Sequence, residues 1–332
     1  MTQEHPFAEY VRILGKGRHG SKTLSQEQAY AAMQMILASK AEPIQIGAFL
    51  MLIRVREETP EETAGFVRAA RESLTLPPDA PAVRLDWSSY AGKRRQLPWF
   101  LLSVLLLARN GISVFMHGIA ARDDGRVYTP QALAALGIGE CKSLTEAATA
   151  IKKDNLAFAT LGHINPILDR LINLRPLLGL RSPINTVARM LNPFNAPVAL
   201  QGIFHPGYRE IHQDAALLLK PHHMAVFKGE GGEIERNPDG PCLVKSVYNS
   251  VAQEEEWPAL FSARHLKDPI MDVRRLAALW RGDIGDEYGE ATVIGTAAIA
   301  LRALGEADSV EAAQALSTAL WNERPVTWLE AA

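Results

Sequence analysis

Three prolines in close succession, Pro77, Pro78 and Pro81, split the chain where its hydrophobic period changes. Proline has no amide hydrogen and a fixed φ, so neither a helix nor an internal strand runs through such a stretch. On the amino-terminal side the signals are helical. Ser25 and Gln28 fit a capping box, in which each side chain satisfies a free backbone N–H. Tyr30, Met33 and Leu37 follow at helical spacing. Pro43 opens another helix, with Ile46, Phe49, Leu50 and Ile53 on one face. Thr59, Pro60 and Glu62 supply an N-cap, a first-turn proline and an N3 carboxylate.

Beyond the prolines, short apolar runs alternate with helical stretches. Strands are expected over 83–86, 112–116, 156–160, 198–204 and 224–228. Such alternation predicts a mainly parallel sheet covered by helices. Residues 164–193 break the alternation, look helical and are expected to rejoin the amino-terminal helices. Residues 258–280 and 287–304 read as carboxy-terminal helices. The fold class is therefore α/β: a small all-α domain over residues 1–78, joined by about 163–193, and a large α/β domain over 79–332 with a mainly parallel central sheet.

Composition narrows the functions. Of 332 residues, 47% are hydrophobic and 22% charged, as in soluble globular proteins. A formal charge of −2 does not announce a nucleic-acid binder, so any anion-binding surface must be a local patch offset by acid elsewhere. Cys141 and Cys242 form no CxxC pair and no disulfide framework. The first ten residues are polar, unlike a signal peptide. The longest apolar run, 97–108, stops at Arg109, short of the ~18 residues of a membrane span. A cytoplasmic protein with no membrane partner is expected.

Gly15, Gly17 and Gly20 in GKGRHG match a dinucleotide fingerprint, but the preceding residues look helical and the fingerprint needs a strand there. A basic helix–helix turn, with Lys16, Arg18, His19 and Lys22, is the expectation. The nine histidines include the pair His222 and His223, yet no HExxH or comparable ligand spacing occurs, so no metal and no cofactor are expected. The segment 86–96, DWSSYAGKRRQ, follows a strand and precedes a helix, where α/β folds bind ligands. Ser88, Ser89, Gly92, Lys93, Arg94 and Arg95 could hold a phosphate by backbone N–H groups and charge, or form a solvated basic loop.

These elements in this order resemble the glycosyltransferase family that includes anthranilate phosphoribosyltransferase and the pyrimidine nucleoside phosphorylases. Residues 24–64, LSQEQAYAAMQMILASKAEPIQIGAFLMLIRVREETPEETA, resemble its helical domain. Residues 165–193, NPILDRLINLRPLLGLRSPINTVARMLNP, resemble its helical crossing segment, and 297–320 are similar too. The resemblance covers nearly the whole chain and implies the nucleoside phosphorylase/phosphoribosyltransferase fold.

The same comparison points away from that family's reaction. Its enzymes hold phosphoribosyl pyrophosphate in a GTGGD loop; SSYAGKRR, residues 88–95, stands there, with the acid gone and three cations gained. The family's following Asn-x-Ser-Thr element has no match in PWFLLS, residues 98–103. Its Lys-His-Gly is here Met116, His117 and Gly118, followed by Ile119 in place of Asn. Its metal-binding Asp-Glu pair falls in GEGGEIE, where only Glu233 remains. Arg175 matches the arginine that contacts anthranilate, which leaves His117, Gly118 and Arg175 as a remnant substrate site. Magnesium needs hard carboxylate and phosphate oxygens, and loss of one electrostatic contact can cost about 10²–10³ in rate. No active anthranilate phosphoribosyltransferase and no catalytic residue are therefore expected.

Tyr90, Gly92 and Arg94 in the substituted loop resemble a nucleic-acid-binding branch, the YbiB-like homologues, which are homodimers. That resemblance implies non-sequence-specific DNA or RNA binding through backbone phosphates. The implied contacts are Ser88, Ser89, Tyr90, Gly92, Lys93, Arg94, Arg95, Arg122, Arg170, Arg175 and Arg181, with dimerisation through the amino-terminal helices. Arg126, Arg189, Lys152 and Lys153 are further cations, the last two equally readable as a solvated helix face. The alternative is a glycosyl or phosphoribosyl transferase acting on a different phosphorylated or nucleoside substrate.

Overall fold

Helices occupy the chain up to the proline break: α1 (Ala8–Gly15), α2 (Gln26–Leu37), α3 (Pro43–Arg56) and α4 (Pro60–Glu72). The structure is a computed structural model and describes residues 3–17, 19–121, 125–219 and 223–328. Both capping boxes form. Ser25 accepts from the Gln28 amide while Gln28 accepts from the Ser25 amide, and Thr59 and Glu62 do the same. Glu62 also accepts from the Leu24 amide at 2.8 Å and from Arg56 at 2.5 Å, which ties the entry of α2 to the start of α4. The glycine string begins at the last residue of α1, Gly15, and continues past it with Gly17 at φ +82, so it follows a helix and opens no strand-to-helix loop.

The α/β part follows as β1 (Leu85–Ser89), α5 (Phe100–Arg109), β2 (Val114–Gly118), α6 (Thr129–Ala134), α7 (Leu144–Asp154) and β3 (Leu156–Thr160). Four short helices then leave the sheet: α8 (Leu161–Ile164), α9 (Pro166–Ile172), α10 (Arg175–Leu178) and α11 (Ile184–Arg189). Leu168, Leu171, Ile184 and Val187 share one apolar core with Phe49, Phe66 and Val67, so this excursion packs against the amino-terminal helices. The chain returns through β4 (Val198–Ile203), α12 (Tyr208–Leu219), β5 (His223–Lys228), β6 (Cys242–Tyr248) and β7 (Val251–Trp257). It ends on α13 (Arg274–Arg281), α14 (Glu287–Ala303) and α15 (Val310–Asn322).

Among the described residues seven strands form one sheet, ordered β3-β2-β1-β4-β5-β6-β7. The first five are parallel and the last two antiparallel. Helix α5 is buried on every side between the sheet and α14, where the Ser103 hydroxyl donates to the Val293 carbonyl. That burial explains why 97–108 is almost continuously apolar. Because β1 and β4 are neighbours while the chain proceeds from them in opposite directions, a crevice opens beyond their carboxyl ends.

Two expectations need correction, and one element was not foreseen. The hairpin β6–β7 was not expected from the sequence. Its turn residues Asn249 and Ser250 both take positive φ, as a primed hairpin turn requires, without the glycine that usually announces one. Residues 258–280 are not one helix: only Arg274–Arg281 is helical, and Pro269 bars a continuous helix through the preceding turn. Finally, β1 begins and ends later than 83–86, which places Ser88 and Ser89 inside the sheet.

Candidate functional site

The loop after β1 is shaped by its glycine. Gly92 sits at φ +68, and a Cβ there would meet the Tyr128 ring at 2.8 Å. This turn aims two successive amides the same way. The Ala91 and Gly92 N–H groups both donate to Glu233 Oε1, at 2.7 and 2.6 Å. Arg126 donates to the carbonyls of Ala91 and Gly92 from the other side. Lys93 turns inward, where its ammonium pairs with Glu235 and donates to the Glu230 carbonyl at 3.3 Å. The second Glu235 oxygen accepts from the Phe100 amide at the start of α5. Burial pushes the Glu235 carboxyl up to about 7, while Lys93 and the Phe100 amide pull against that shift.

Beneath the loop, three side chains form a closed relay. The Tyr90 phenol lies 2.8 Å from His117 Nδ1, and His117 Nε2 lies 3.2 Å from Asp86 Oδ2. A carboxylate only accepts, so Nε2 carries the proton and Nδ1 accepts from the phenol. The parallel register of β1 and β2, with Ser89 opposite Gly118, brings the three together.

Above the loop lies a cleft of about 1020 Å³ between the α/β part and the excursion helices. Arg94 and Arg126 of the α/β part line it together with Arg175 and Arg181 of the excursion, and Tyr90, Ile119, Tyr128 and Ile172 are among its other lining residues. No described carboxylate lines it, and none of these four arginines pairs with a described acid. The Arg181 guanidinium is held below its ordinary range by burial and by repulsion from Arg175 and Arg126, which share the cleft lining with it. An adjoining cavity of about 120 Å³ shares Arg181 and Asn185 and adds Arg54, Phe204 and Tyr208. His212 also lines this cavity and donates from Nδ1 to Gln201 Oε1 at 2.6 Å. Burial, then Arg189, lowers its pKa to about 3.

The sequence-derived residues therefore separate into groups. Tyr90, Arg94, Arg175 and Arg181 meet at the cleft. Gly92 shapes it through its backbone. Arg95 and Arg170 are exposed but are not among its walls. Lys93 is a correction: 1% exposed and paired with Glu235, it is not among the cleft walls. Ser88 and Ser89 are also corrections, being buried strand residues, and Ser89 is bonded to Thr129 at 2.6 Å. In the remnant substrate site only Arg175 reaches the cleft. His117 is buried with both ring nitrogens engaged, and Gly118 lies tight against the Ser89 carbonyl. Lys152 pairs with Asp79 at 2.6 Å and Lys153 lies 3.9 Å from Asp154, a solvated helix face. Arg18, Arg122 and His222 lie outside the described residues.

Sequence reasoning missed Tyr128 and Asn185 as walls and Glu235 as the partner of Lys93. The signal for Glu235 was its spacing of two from Glu233 in GEGGEIE. Among the described residues no group of three His, Cys, Asp or Glu side chains is placed to hold a metal, and no helix is long and apolar enough to cross a membrane.

Comparison with known proteins places this geometry in a family. Residues 9–74 match the glycosyl transferase family, helical bundle domain. An uncharacterized protein of Aquifex aeolicus is 30% identical over 320 residues, 93% of this chain and 95% of its own. The anthranilate phosphoribosyltransferase of Gluconobacter oxydans is 30% identical over 317 residues, covering 92% of this chain and 86% of its own. The solved anthranilate phosphoribosyltransferase of Thermus thermophilus superposes with a TM-score of 0.79 at 23% identity, over 97% of this chain and 99% of that one. The Saccharomyces cerevisiae enzyme, solved with phosphoribosyl pyrophosphate and magnesium, gives 0.74 at 16% identity, over 98% and 96%. On this likeness along nearly its full length, the chain belongs to the anthranilate phosphoribosyltransferase-like glycosyl transferase family.

Proposed function

We propose that this protein binds nucleic acid without sequence preference, through backbone phosphates, as a homodimer that lacks anthranilate phosphoribosyltransferase activity. The observation that carries the proposal is the cleft whose arginines come from both sides with no described carboxylate among its walls. Guanidinium groups suit phosphate oxygens, and phosphate contacts give affinity without base readout. The yeast relative binds phosphoribosyl pyrophosphate and magnesium; the residues here fit that pair poorly. Glu233 spends one carboxylate oxygen on loop amides and Lys93 is committed to Glu235.

Support for the dimer comes from α3. Ile44 and Val55 are 83% and 81% exposed, and Ala48 and Met51 lie between them at helical spacing. Leu177 of the adjacent α10 is 82% exposed. Such an apolar row on a solvent face is suited to a second copy. Light scattering at micromolar concentration is expected to return twice the chain mass; a monomer would remove this part of the proposal.

A mobility-shift assay with single- and double-stranded DNA and RNA across a salt series tests the binding. Affinity falling steeply with salt and indifferent to sequence is expected. No binding at low salt would defeat it. A second reading, transfer to another phosphorylated or nucleoside substrate, draws on the adjoining cavity of about 120 Å³. Product formation from phosphoribosyl pyrophosphate and a panel of acceptors would favour it. Growth of a tryptophan auxotroph lacking the transferase, together with turnover of anthranilate, would restore the family's reaction.

A further inference from the structure

The loop after β1 has the form of an anion cradle. Successive amides aimed inward by a positive-φ glycine make a concavity that takes phosphate in many proteins. The start of α5 and the Lys93 ammonium add to the positive potential. Every one of these donors is already matched by acid from one short segment. Glu233 takes the two amides at 2.7 and 2.6 Å, and Glu235 takes Lys93 and the Phe100 amide. Glu233 is fixed there by its own backbone. A Cβ on Gly229 would fall 1.5 Å from the Glu233 carbonyl oxygen, and one on Gly202 would fall 2.4 Å from its carbonyl carbon. Its second carboxylate oxygen, Oε2, is buried and has no hydrogen-bond partner among the described residues.

We propose that Glu233 is a resident anion occupying this cradle, and that it restricts the adjoining cleft to phosphodiester strands held by arginine side chains, excluding pyrophosphate held by main-chain amides. The choice of phosphodiester rests on the nucleic-acid reading above; the occupied cradle does not. Charge-assisted bonds from amide to carboxylate are stronger than neutral ones. A tethered carboxylate also competes at an effective concentration that free pyrophosphate does not match. A dense anion arriving at Ala91 would meet like charge instead of free amides. A phosphodiester carries one charge per unit and needs only the arginines on the cleft walls.

The test compares the full-length protein with Glu233→Ala, using inorganic pyrophosphate and a short oligothymidylate as probes in calorimetric titrations. Removing the anion is expected to tighten pyrophosphate binding about tenfold or more, the scale of a charged hydrogen bond. Pyrophosphate should also shift the Ala91 and Gly92 amide resonances in the variant and not in the parent. Oligothymidylate affinity should stay within about twofold, since Glu233 is not on the cleft wall. Pyrophosphate binding no tighter in the variant than in the parent would overturn the proposal. Loss of oligothymidylate binding in the variant alone would overturn its phosphodiester half. If neither protein binds oligothymidylate while the variant gains pyrophosphate, the nucleic-acid reading fails and the occupied cradle stands. Should Glu233→Ala lose its cooperative thermal transition, Glu233→Ser withdraws the same charge with a hydroxyl left in the buried space.

Discussion

The Lys93 ammonium and the Glu235 carboxylate meet in the interior, directly below a loop whose neighbouring residues Arg94 and Arg95 face solvent. Three consecutive cations thus divide between structure and surface. Lys93→Ala leaves a buried carboxylate without its partner and should cost about 3–5 kcal/mol in urea unfolding. Its salt dependence of nucleic-acid binding should match the parent's. An unchanged unfolding midpoint would show that the pair contributes nothing to the fold's stability.

The cleft arginines should behave in the opposite way. Arg175→Ala and Arg181→Ala should each weaken binding to all sequences alike, because phosphate contacts carry no base information. Each should make the log–log salt slope shallower by roughly one unit on duplex DNA, since one fewer counterion is released. Parental slopes in both variants would place the ligand elsewhere.

Glu62 is fully buried and accepts from Leu24, Thr59 and Arg56 at once. Glu62→Ala strands two amides and a guanidinium, and should destabilise by about 3 kcal/mol. Glu62→Gln, which keeps an acceptor oxygen, should cost less. Equal melting temperatures for the parent and the alanine variant would remove Glu62 as the joint between α2 and α4.

His212 predicts an acid dependence. Its pKa is lowered to about 3 in the fold, against about 6.5 in an unfolded chain. Between those values the unfolded chain binds a proton that the folded chain refuses, so stability falls as pH falls through that window. The slope from this residue is about 1.4 kcal/mol per pH unit. His212→Asn lacks the titration, so the stability gap between parent and variant should shift by that amount per unit between pH 6 and 4. Parallel curves would mean that His212 is protonated in place.

Much of the architecture was written locally. The capping boxes at Ser25 and Thr59 bound their helices because each is a bargain among residues three apart. The parallel strands were legible where a buried run is apolar, as in LAFAT of β3; β1, LDWSS, buries polar residues, and its limits were misplaced. The β6–β7 hairpin was not legible, since β7 is an exposed edge, VAQEEEW, without a buried face to impose alternation.

The candidate site divides along the same line. Sequence alone marked 86–96 as a candidate phosphate loop or a solvated basic one, and the family resemblance added Arg175 and Arg181 to Arg94 as cations to watch. It could not rank SSYAGKRR residue by residue, because whether a lysine faces ligand or core depends on what approaches from elsewhere in the chain. That approach is made by GEGGEIE, about 140 residues away, which draws Lys93 inward and covers the Ala91 and Gly92 amides. Only the packing of β4 and β5 beside β1 brings the two segments together. Residue types determined which charges exist; the tertiary structure decided which of them are already neutralised, because electrostatic partners are chosen by distance in space and not along the chain.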